Sequence, residues 1–424
     1  MFNAPQPRSR LYTKADFYLK CAAGAFLGVN YEGKGVSHLE QALVTMMPGQ
    51  QVIAVPMCRV GIYLALKNTI RKGQKVILSP YTISDVVNMV LCAGGVPLFA
   101  DIEEGGSCNI DARDVAELVE SEDNIGAVLV THFYGLMCNL QPIMDVCRPK
   151  GIPVIEDAAQ AFGAVDAKGR LAGTIADVGV FSFGLLKNVT SFIGGAVVTR
   201  DDKLASAIRR ELAQFPLAGK KPLVKKMMTG AAFDIATMPV VFDAFVYWLF
   251  RYAYLHDLDF FNNKLDTDSN PVAYSKLPAH YSARLPSMQA DIIASQLDRI
   301  EGEALQRRAS AELYDEGLSD IPQLVLPPLR KDGSHTYFYY TVQAEDRDRL
   351  AKRMTEKLRD VQISHHRNCA SMPCFAEYYR DCPNAEKAMQ QALYLPTYPG
   401  YRADQVSANV EAIRSHFRES NRWT

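Results

Sequence analysis

The sequence lacks an excess of charge of either sign. Its 424 residues include 46 lysines and arginines against 47 aspartates and glutamates, which gives a formal net charge of -1. A protein that binds nucleic acid through its phosphates needs a basic surface, so we expect no nucleic-acid partner. Hydrophobic residues make up 48% of the chain and charged residues 22%, which is typical of globular proteins. Because a chain of this length is too long for one core, we expect two domains.

Paired cysteines and long apolar runs are also missing. The nine cysteines stand singly, without a CxxC pair, and their odd number argues against a disulfide framework. The first residues, MFNAPQPRSR, contain no apolar core of a secretion signal, which favours a cytoplasmic location. No Walker A, HExxH or GxGxxG motif occurs, and no pair of histidines or cysteines has the spacing of metal ligands. We therefore expect no metal site.

Between residues 50 and 200 the chain alternates short apolar runs with helical stretches. Apolar runs without polar alternation indicate strands covered on both faces, hence a mostly parallel sheet between layers of helices. We therefore predict a three-layer α/β domain. The runs are QVIAV, KVILSP, VPLFADI, AVLVTHF, IPVIEDA, VGVFSF and GAVVT.

The rest of the chain predicts two further units. A large domain over residues 1–212 is followed by residues 213–278, which fit neither domain pattern and form a predicted hydrophobic insertion. Residues 279–424 predict a smaller C-terminal α/β domain, introduced by a long amphipathic helix over residues 285–318. We expect its strands in HTYFYYTVQA and ALYLPTY.

One lysine stands among apolar and small neighbours. In FSFGLLKNVTSFIGGAVVT, residues 181–199, Lys187 is the only charged residue, and burying an ammonium group without a partner is costly. Ligands of open α/β sheets bind at the carboxyl ends of the strands, and Asp157 stands at such an end. Cys58 and Arg59 stand where a helix is predicted to begin, and helix N-termini bind phosphate.

Together these residues have the properties of a pyridoxal phosphate (PLP) site. That cofactor needs a lysine for its Schiff base, an acid facing its pyridine nitrogen and an anion cradle. Asp157 would keep the nitrogen protonated, and Lys187 would need a lowered pKa, which burial near cationic charge supplies. Two of these residues also have structural interpretations, since Asp157 could cap a helix and Arg59 could be a solvated surface side chain.

The sequence resembles the DegT/DnrJ/EryC1/StrS family of sugar aminotransferases, which are PLP enzymes of fold type I. The blocks that carry the resemblance are SPYTISDVVNMVLCAGGVPLFADI, VTHFYGLMCNLQPIMDVC, VIEDAAQAFGA, FSFGLLKNVTSFIGGAVVT and LPSMQADIIASQLDRIE. The resemblance implies a homodimer. By position it also implies that Lys187 forms the Schiff base, that Asp157 faces the pyridine nitrogen and that Gln160 lies beside the ring. The phosphate ligands that it implies are Ser182, Cys58 and Arg59. Relatives that act as dehydratases carry histidine at the lysine position, so Lys187 implies transamination.

Several positions depart from the family pattern. Ile83 stands where relatives carry an aromatic residue, and we expect Tyr81 to cover the cofactor ring instead. Ser282 takes the place of an asparagine that relatives donate across the dimer interface to the phosphate. Phe192 and Ile193 replace part of a GEGG sequence, which favours a more apolar acceptor than a sugar.

Histidines outside these roles have competing interpretations. His365, His366 and Arg367 could contact an anionic substrate, but we expect a solvated turn there. His132 follows an apolar strand, and we expect a structural histidine whose hydrogen bonds are satisfied.

The sequence as a whole predicts a PLP-dependent aminotransferase with a ping-pong mechanism. The resemblance implies glutamate as amino donor and a keto group on a nucleotide-linked sugar as acceptor. An alternative acceptor is a lipid-like or lipid-linked ketone at a membrane surface. Two further alternatives are another PLP reaction that needs the same Lys187 and Asp157, and a non-catalytic regulatory protein of the PLP fold.

The insertion combines lysines with aromatic residues. Residues 231–255 contain eight aromatics, and they follow a cluster of Lys220, Lys221, Lys225 and Lys226. Asp243, Tyr247 and Arg251 are spaced to form one polar stripe of a helix. The opposite face is apolar and consists of Val241, Phe242, Phe245, Trp248, Leu249 and Tyr252. This pattern fits a peripheral anchor at the inner membrane face over residues 220–255, or a helix buried in the dimer interface or against the small domain.

Overall fold

The computed structural model describes residues 4–11, 15–256 and 271–420. The large domain is built on a seven-stranded sheet, and a short strand β3 (Tyr81–Thr82) lies outside it. The seven strands are β1 (Gln51–Val55), β2 (Lys75–Leu78), β4 (Val96–Phe99), β5 (Ile125–Thr131), β6 (Val154–Asp157), β7 (Val178–Ser182) and β8 (Gly195–Thr199). Their order is β1-β8-β7-β6-β5-β2-β4.

The sheet is parallel except at β8, which runs antiparallel to both of its neighbours, β1 and β7. A parallel return would need a crossover element, and the stretch between β7 and β8 consists of turns and bends without a helix. The chain therefore turns back on itself there, and Lys187 lies on this connection.

Helices cover both faces of the sheet. The main helices are α1 (Ala15–Ala22), α2 (Gly35–Met46), α3 (Cys58–Thr69), α4 (Ser84–Cys92), α5 (Ala112–Ser121), α6 (Leu140–Cys147), α7 (Asp202–Ala213), α8 (Lys220–Ala236), α9 (Pro239–Leu255), α10 (Ser287–Ala294), α11 (Ile300–Leu318), α12 (Arg347–Glu356), α13 (Pro383–Gln391) and α14 (Ala403–Ser420). Alternate residues of β5 enter different cores: Ala127 and Leu129 join the core of α3, α4 and α7, whereas Val128 and Val130 join that of α5 and α6. The predicted three-layer arrangement is confirmed.

The C-terminal domain is smaller and is built on an antiparallel sheet. Its strands are β9 (Leu324–Val325), β10 (Tyr340–Ala344), β11 (Gln362–Ile363) and β13 (Ala392–Leu395), in the order β11-β13-β10-β9. Tyr314 of α11, Leu350 of α12 and Ile413 of α14 share its core. One further strand, β12 (Arg367–Asn368), leaves this sheet and pairs with β3 of the large domain, which joins the two domains.

The single long helix predicted over residues 285–318 is divided into α10 and α11. At the break, the Ser295 hydroxyl and the Gln296 side-chain amide both donate to the carbonyl of Ile292, at 2.9 and 2.8 Å. Side-chain bonds of this kind compete with the helical backbone bonds. The Gln296 amide also donates to the carbonyl of Thr190 at 2.8 Å, so the break ties this segment to the chain beside Lys187.

The described part of the insertion consists of α8 and α9, while residues 257–270 lie outside the described residues. Among the described residues, no single helix has the length and apolar composition needed to cross a bilayer; α8 and α9 reach them only as a pair bent by 67°. The predicted polar stripe of α9 is wrong at Tyr247, which is buried and donates its hydroxyl to the carbonyl of Thr355 at 2.7 Å. A π-helical turn at Phe242–Val246 shifts the helix phase, so its inward face differs from the face expected for a regular helix.

Candidate active site

Lys187 lies on the β7–β8 connection and is partly buried. Its Nζ is 5.0 Å from the centre of the Phe338 ring, over the ring face. Burial lowers the pKa of Lys187, and the charge of Asp157 opposes this effect. A lower pKa leaves more of the amine unprotonated and able to attack a carbonyl carbon, which is the property that a Schiff-base lysine needs.

Asp157 ends β6, the neighbour of β7 in the sheet. Its side chain is 5% exposed, and its Oδ1 accepts hydrogen bonds from the Ala159 backbone N–H at 3.0 Å and the Cys58 thiol at 3.6 Å. Burial raises the pKa of Asp157, while the Ala159 bond and the positive charge of Lys187 oppose the shift. Three residues separated by about 130 positions in the chain, Cys58, Asp157 and Lys187, therefore share one electrostatic environment.

The N-terminus of α3 and the end of β7 form a candidate anion cradle. Helix α3 begins at Cys58, and its N-cap residue Met57 makes no side-chain capping bond. A Cβ on Gly195 would lie 2.9 Å from the Cys58 backbone nitrogen, so only glycine lets β8 come this close to the helix. Ser182 pairs with Gly195 in the sheet register, which puts its hydroxyl on the same side as the uncapped helix end.

Arg59 is held by residues that the sequence did not indicate. Its guanidinium forms an ion pair with Asp85 and donates to the Tyr281 hydroxyl at 2.7 Å. Tyr281 also stacks beneath the guanidinium, 5.3 Å from its carbon. Arg59 is therefore not a free surface arginine. Because Asp85 already neutralises its charge, Arg59 is also not available to a phosphate alone.

These groups fit PLP by their chemistry. The cofactor requires an amine, an acid and an anion site, and the chain brings together a lysine of lowered pKa, a buried carboxylate and an uncapped helix N-terminus beside a serine. Oδ1 of Asp157 is held in place by the Ala159 N–H and the Cys58 thiol, and a carboxylate buried in this way suits a cationic partner such as a protonated pyridine nitrogen.

Gln160 connects the predicted site to the C-terminal domain. Its Oε1 accepts from the Tyr134 backbone N–H at 2.9 Å, and its Nε2 lies 3.3 Å from Nε2 of His366. Because the Gln160 amide nitrogen can only donate, that His366 nitrogen must accept. Nδ1 of His366 then carries the proton and faces the Tyr394 hydroxyl at 2.7 Å.

The expectation of a solvated turn at residues 365–367 is wrong for His366, which is 4% exposed. Burial, then the neighbouring charges of His365 and Lys187, lower the pKa of His366 well below its ordinary value, so this imidazole is neutral. Sequence reasoning missed its role because the turn becomes buried only when β12 pairs with β3 across the domain boundary. The two consecutive histidines were the only local signal.

The other predicted ring and phosphate residues occupy different surroundings. Tyr81 is fully buried, and its hydroxyl is 2.8 Å from those of Tyr134 and Ser364, so its polar end is engaged in the domain boundary. Ile83 precedes α4 and packs against the core of α3 and α4.

Ser282 donates its backbone N–H to the carbonyl of Ala279 at 3.2 Å, and the described contacts do not join its side chain to Lys187 or Asp157.

His132 and Glu156 form a structural pair, as expected for His132. Their side chains are fully buried and 2.9 Å apart, from Nε2 to Oε2. Nδ1 of His132 accepts from the Cys138 backbone N–H at 2.9 Å, and the Glu156 carboxylate accepts from three further backbone N–H groups. Every strong hydrogen-bonding position of this pair is used internally, so neither residue faces a ligand.

Phe192 and Ile193 do not form an apolar substrate surface. Both are buried, at 3% and 8% exposure. The Phe192 ring packs edge-on against Phe17 of α1, with ring centres 4.7 Å apart, and lies directly against Gly230 of α8. The expectation that these two residues make the acceptor surface more apolar is therefore wrong. Phe192 anchors the N-terminal helix and the insertion, and Ile193 packs in the core with α2 and α10.

Comparisons with known proteins find relatives that cover most of the chain. The sequence model of the DegT/DnrJ/EryC1/StrS aminotransferase family matches residues 23–238 and 260–414. The chain is 28% identical over 395 residues to the spore coat polysaccharide biosynthesis protein SpsC of Bacillus subtilis, with 90% of each protein covered. It is 25% identical over 401 residues to GDP-perosamine synthase of Vibrio cholerae, with 92% of each covered.

A solved structure shows the same fold. The sugar aminotransferase CalS13 from Micromonospora echinospora has a TM-score of 0.73 and 22% sequence identity, with 96% of this chain and 99% of that chain covered. The predictions of fold and of aminotransferase class are confirmed by these matches. The family model matches well over half of the residues of this chain, and the chain therefore belongs to the DegT/DnrJ/EryC1/StrS aminotransferase family.

Proposed function

We propose that this enzyme binds PLP at Lys187 and transfers an amino group from glutamate to the keto group of a nucleotide-linked sugar. The observation that carries the proposal is the meeting of Lys187, Asp157 and Cys58 beside the start of α3. A non-catalytic relative would have no need to retain both the lysine and its buried acid.

Each residue has a defined task in this proposal. Bound PLP supplies a carbonyl carbon that accepts amines and a ring that withdraws electrons. Lys187 holds the cofactor and moves the proton exchanged during transfer at its Nζ. Asp157 would face the ring nitrogen, and its negative charge would keep that nitrogen protonated. Ser182 and the first N–H groups of α3 hold the phosphate.

The Cys58 thiol supports Asp157 in this arrangement. Burial and the charge of Asp157 raise the pKa of Cys58 well above its ordinary value, so the thiol stays protonated. It can then donate to Asp157 Oδ1 without adding a second negative charge to the site.

The acceptor class rests on the relatives. GDP-perosamine synthase, which this chain resembles along most of its length, is named for a nucleotide-linked amino sugar. The burial of Phe192 and Ile193 removes the local argument for a lipid-like ketone. We also propose a homodimer in which Ser282 of one subunit reaches the phosphate site of the other, as the family resemblance implies.

The proposal is tested with PLP-loaded protein, glutamate and a panel of dTDP-, GDP- and UDP-linked keto-sugars. We expect formation of 2-oxoglutarate and an amino sugar with one class of nucleotide sugar, both measured by mass spectrometry. Lys187→Ala is the control, and it should lose both turnover and the visible absorption of the bound cofactor while keeping its circular dichroism spectrum.

Two results would contradict different parts of the proposal. Turnover of Lys187→Ala at the wild-type rate would show that the site is elsewhere. Formation of 2-oxoglutarate with simple keto acids, but with none of the nucleotide sugars, would keep the aminotransferase site and reject the acceptor.

A further inference from the structure

Exposed apolar side chains are concentrated in two neighbouring segments. Of eighteen large apolar side chains that are exposed in the described residues, twelve lie in residues 19–29 and 228–252. They are Leu19, Phe26, Leu27, Val29, Met228, Ile235, Met238, Val240, Phe245, Trp248, Leu249 and Tyr252. Isolated exposed apolar residues are ordinary, but a concentration of this size marks an interaction site.

Helix α9 already buries one face against the rest of the protein. Its exposed apolar face is therefore a second, separate surface. Phe242 and Tyr247 are buried at 4% and 2% exposure, and the Tyr247 hydroxyl bonds to α12 of the small domain. Phe245 and Trp248, by contrast, are 67% and 46% exposed. The Trp248 indole N–H donates to the Asp243 carbonyl at 2.8 Å, which satisfies its one polar group within the helix and leaves an apolar ring facing outward.

Helix α8, like α9, packs one face against the rest of the protein and leaves other apolar side chains exposed. The Tyr18 hydroxyl of α1 bonds to Asp234 of α8, and Gly230 of α8 lies on the Phe192 ring. Burial raises the pKa of Asp234, and the hydrogen bond from Tyr18 opposes this shift. Met228 and Ile235, on other faces of the helix, stay exposed at 64% and 56%.

Positive charge borders these apolar side chains. Lys220, Lys221, Lys225 and Lys226 at the start of α8 are all exposed. Nζ of Lys220 lies 5.4 Å from the centre of the Tyr31 ring and close to Gly28. The lysine cluster therefore adjoins the exposed Phe26 and Leu27.

The second helix of the pair lies outside the segments that the family model matches. The family model matches on both sides of residues 239–259 but not within them, and α9 lies in that interval.

We propose that α8 and α9 dock this enzyme onto the surface of an anionic lipid bilayer. Lysines beside exposed tryptophan, phenylalanine and leucine are typical of helices that lie in the membrane interface. A second copy of the chain is a poorer occupant, because the cores of subunit interfaces are depleted of lysine. The bend of 67° and the charged residues along the pair favour a helix pair lying on the bilayer over one crossing it.

The proposal concerns where the enzyme works and does not depend on which keto group it aminates.

The test is flotation of the full-length protein with vesicles. Vesicles of phosphatidylcholine mixed with phosphatidylglycerol should carry the protein upward in a gradient, and vesicles of phosphatidylcholine alone should carry much less. Changing all four lysines to glutamine, or making Phe245→Glu with Trp248→Glu, should lower the partition coefficient at least about tenfold. Raised salt should weaken binding, because it screens the lysines.

The matched control is Leu305→Glu, which changes a comparably exposed apolar residue (54%) on α11. It should float like the wild type. Wild-type protein that stays at the bottom of the gradient with both kinds of vesicle would overturn the proposal. So would sedimentation data in which Trp248→Glu splits a dimer into monomers, since the face would then be a subunit interface.

Discussion

At the scale of single residues, the site depends on two ionisable groups, and burial disfavours the charged form of each. Burial lowers the pKa of Lys187 and raises that of Asp157, and the charge of each residue stabilises the other. The balance leaves a nucleophilic amine beside an acid that a cationic cofactor ring can hold in its ionised form.

Replacing Asp157 should show this coupling. Asp157→Asn removes the largest contribution that raises the pKa of Lys187, so that pKa should fall and the lysine should react with PLP at lower pH. The midpoint is measured by trapping the lysine–PLP adduct with borohydride across a pH series. Turnover should fall on the order of 10²-fold, because an amide cannot stabilise a protonated ring nitrogen.

The control for this variant is Asp145→Asn, an exposed carboxylate on α6, which should leave both the midpoint and turnover unchanged. A midpoint that stays in place or moves upward in Asp157→Asn would show that Asp157 does not act on Lys187.

At the scale of elements, the position of the insertion depends on one residue in an unusual conformation. Phe192 has φ of 68°, in the left-handed region that side chains rarely occupy. That backbone directs its ring between α1 and α8, where Phe17 packs on one side and Gly230 lies against it. The connection that carries Lys187 thus also fastens the insertion.

A methyl group at Gly230 should therefore be destabilising. Gly230→Ala places a Cβ in the Phe192 ring, and overpacking of this kind costs about 1–3 kcal/mol. The free energy of unfolding in urea should fall by that amount. In protein that already carries Phe192→Ala, Gly230→Ala should have no such cost, because the ring that the new methyl group meets is gone.

Gly302→Ala is the matched helical control, because a Cβ at Gly302 would meet no atom within 4 Å. It should leave stability unchanged or raise it slightly, since alanine favours helix over glycine. Equal effects at both glycines would mean that Phe192 does not hold α8 in place.

At the scale of the whole molecule, a buried polar network joins the two domains next to the candidate site. Tyr81, Tyr134 and Gln160 come from the large domain, and His366 and Tyr394 from the small one. Polar groups buried at such a boundary stabilise it only when their partners are in place, so the network sets the position of the small domain relative to Lys187.

The proposed dimer can be tested by mixing subunits. Lys187→Ala and Ser282→Asp should each be inactive, the second because its added charge would repel the phosphate in the partner's site. The mixture should recover about a quarter of wild-type activity, since random pairing makes half of the dimers mixed and each mixed dimer has one intact site of two. The activity is measured after co-refolding or co-expression of the two variants.

Lys187→Ala mixed with Asp157→Asn is the control. Both residues belong to the same subunit's site, so no mixed dimer has an intact site and no activity should return. A fully active monomer in sedimentation experiments, or equal recovery in both mixtures, would reject the shared site.

Much of the fold and part of the site follow from local sequence pattern. Continuous apolar runs predict strands buried on both faces, because such runs cannot be solvated, and these strands form the observed sheet. Lys187 was recognisable because it is the only charged residue in an apolar segment, and Asp157 because ligands of α/β sheets bind where the strands end. The lysine cluster and the aromatic content of the insertion were visible directly in its composition.

Only the tertiary structure decided which distant residues meet. His366 became part of the site through the pairing of β12 with β3, and Arg59 obtained Asp85 and Tyr281 from elements far away in the chain. The inward face of α9 and the burial of Phe192 were likewise set by packing against α12 and α1. Periodicity fixes which residues share a face, but the neighbour that covers that face is chosen by the free energy of the whole packed arrangement.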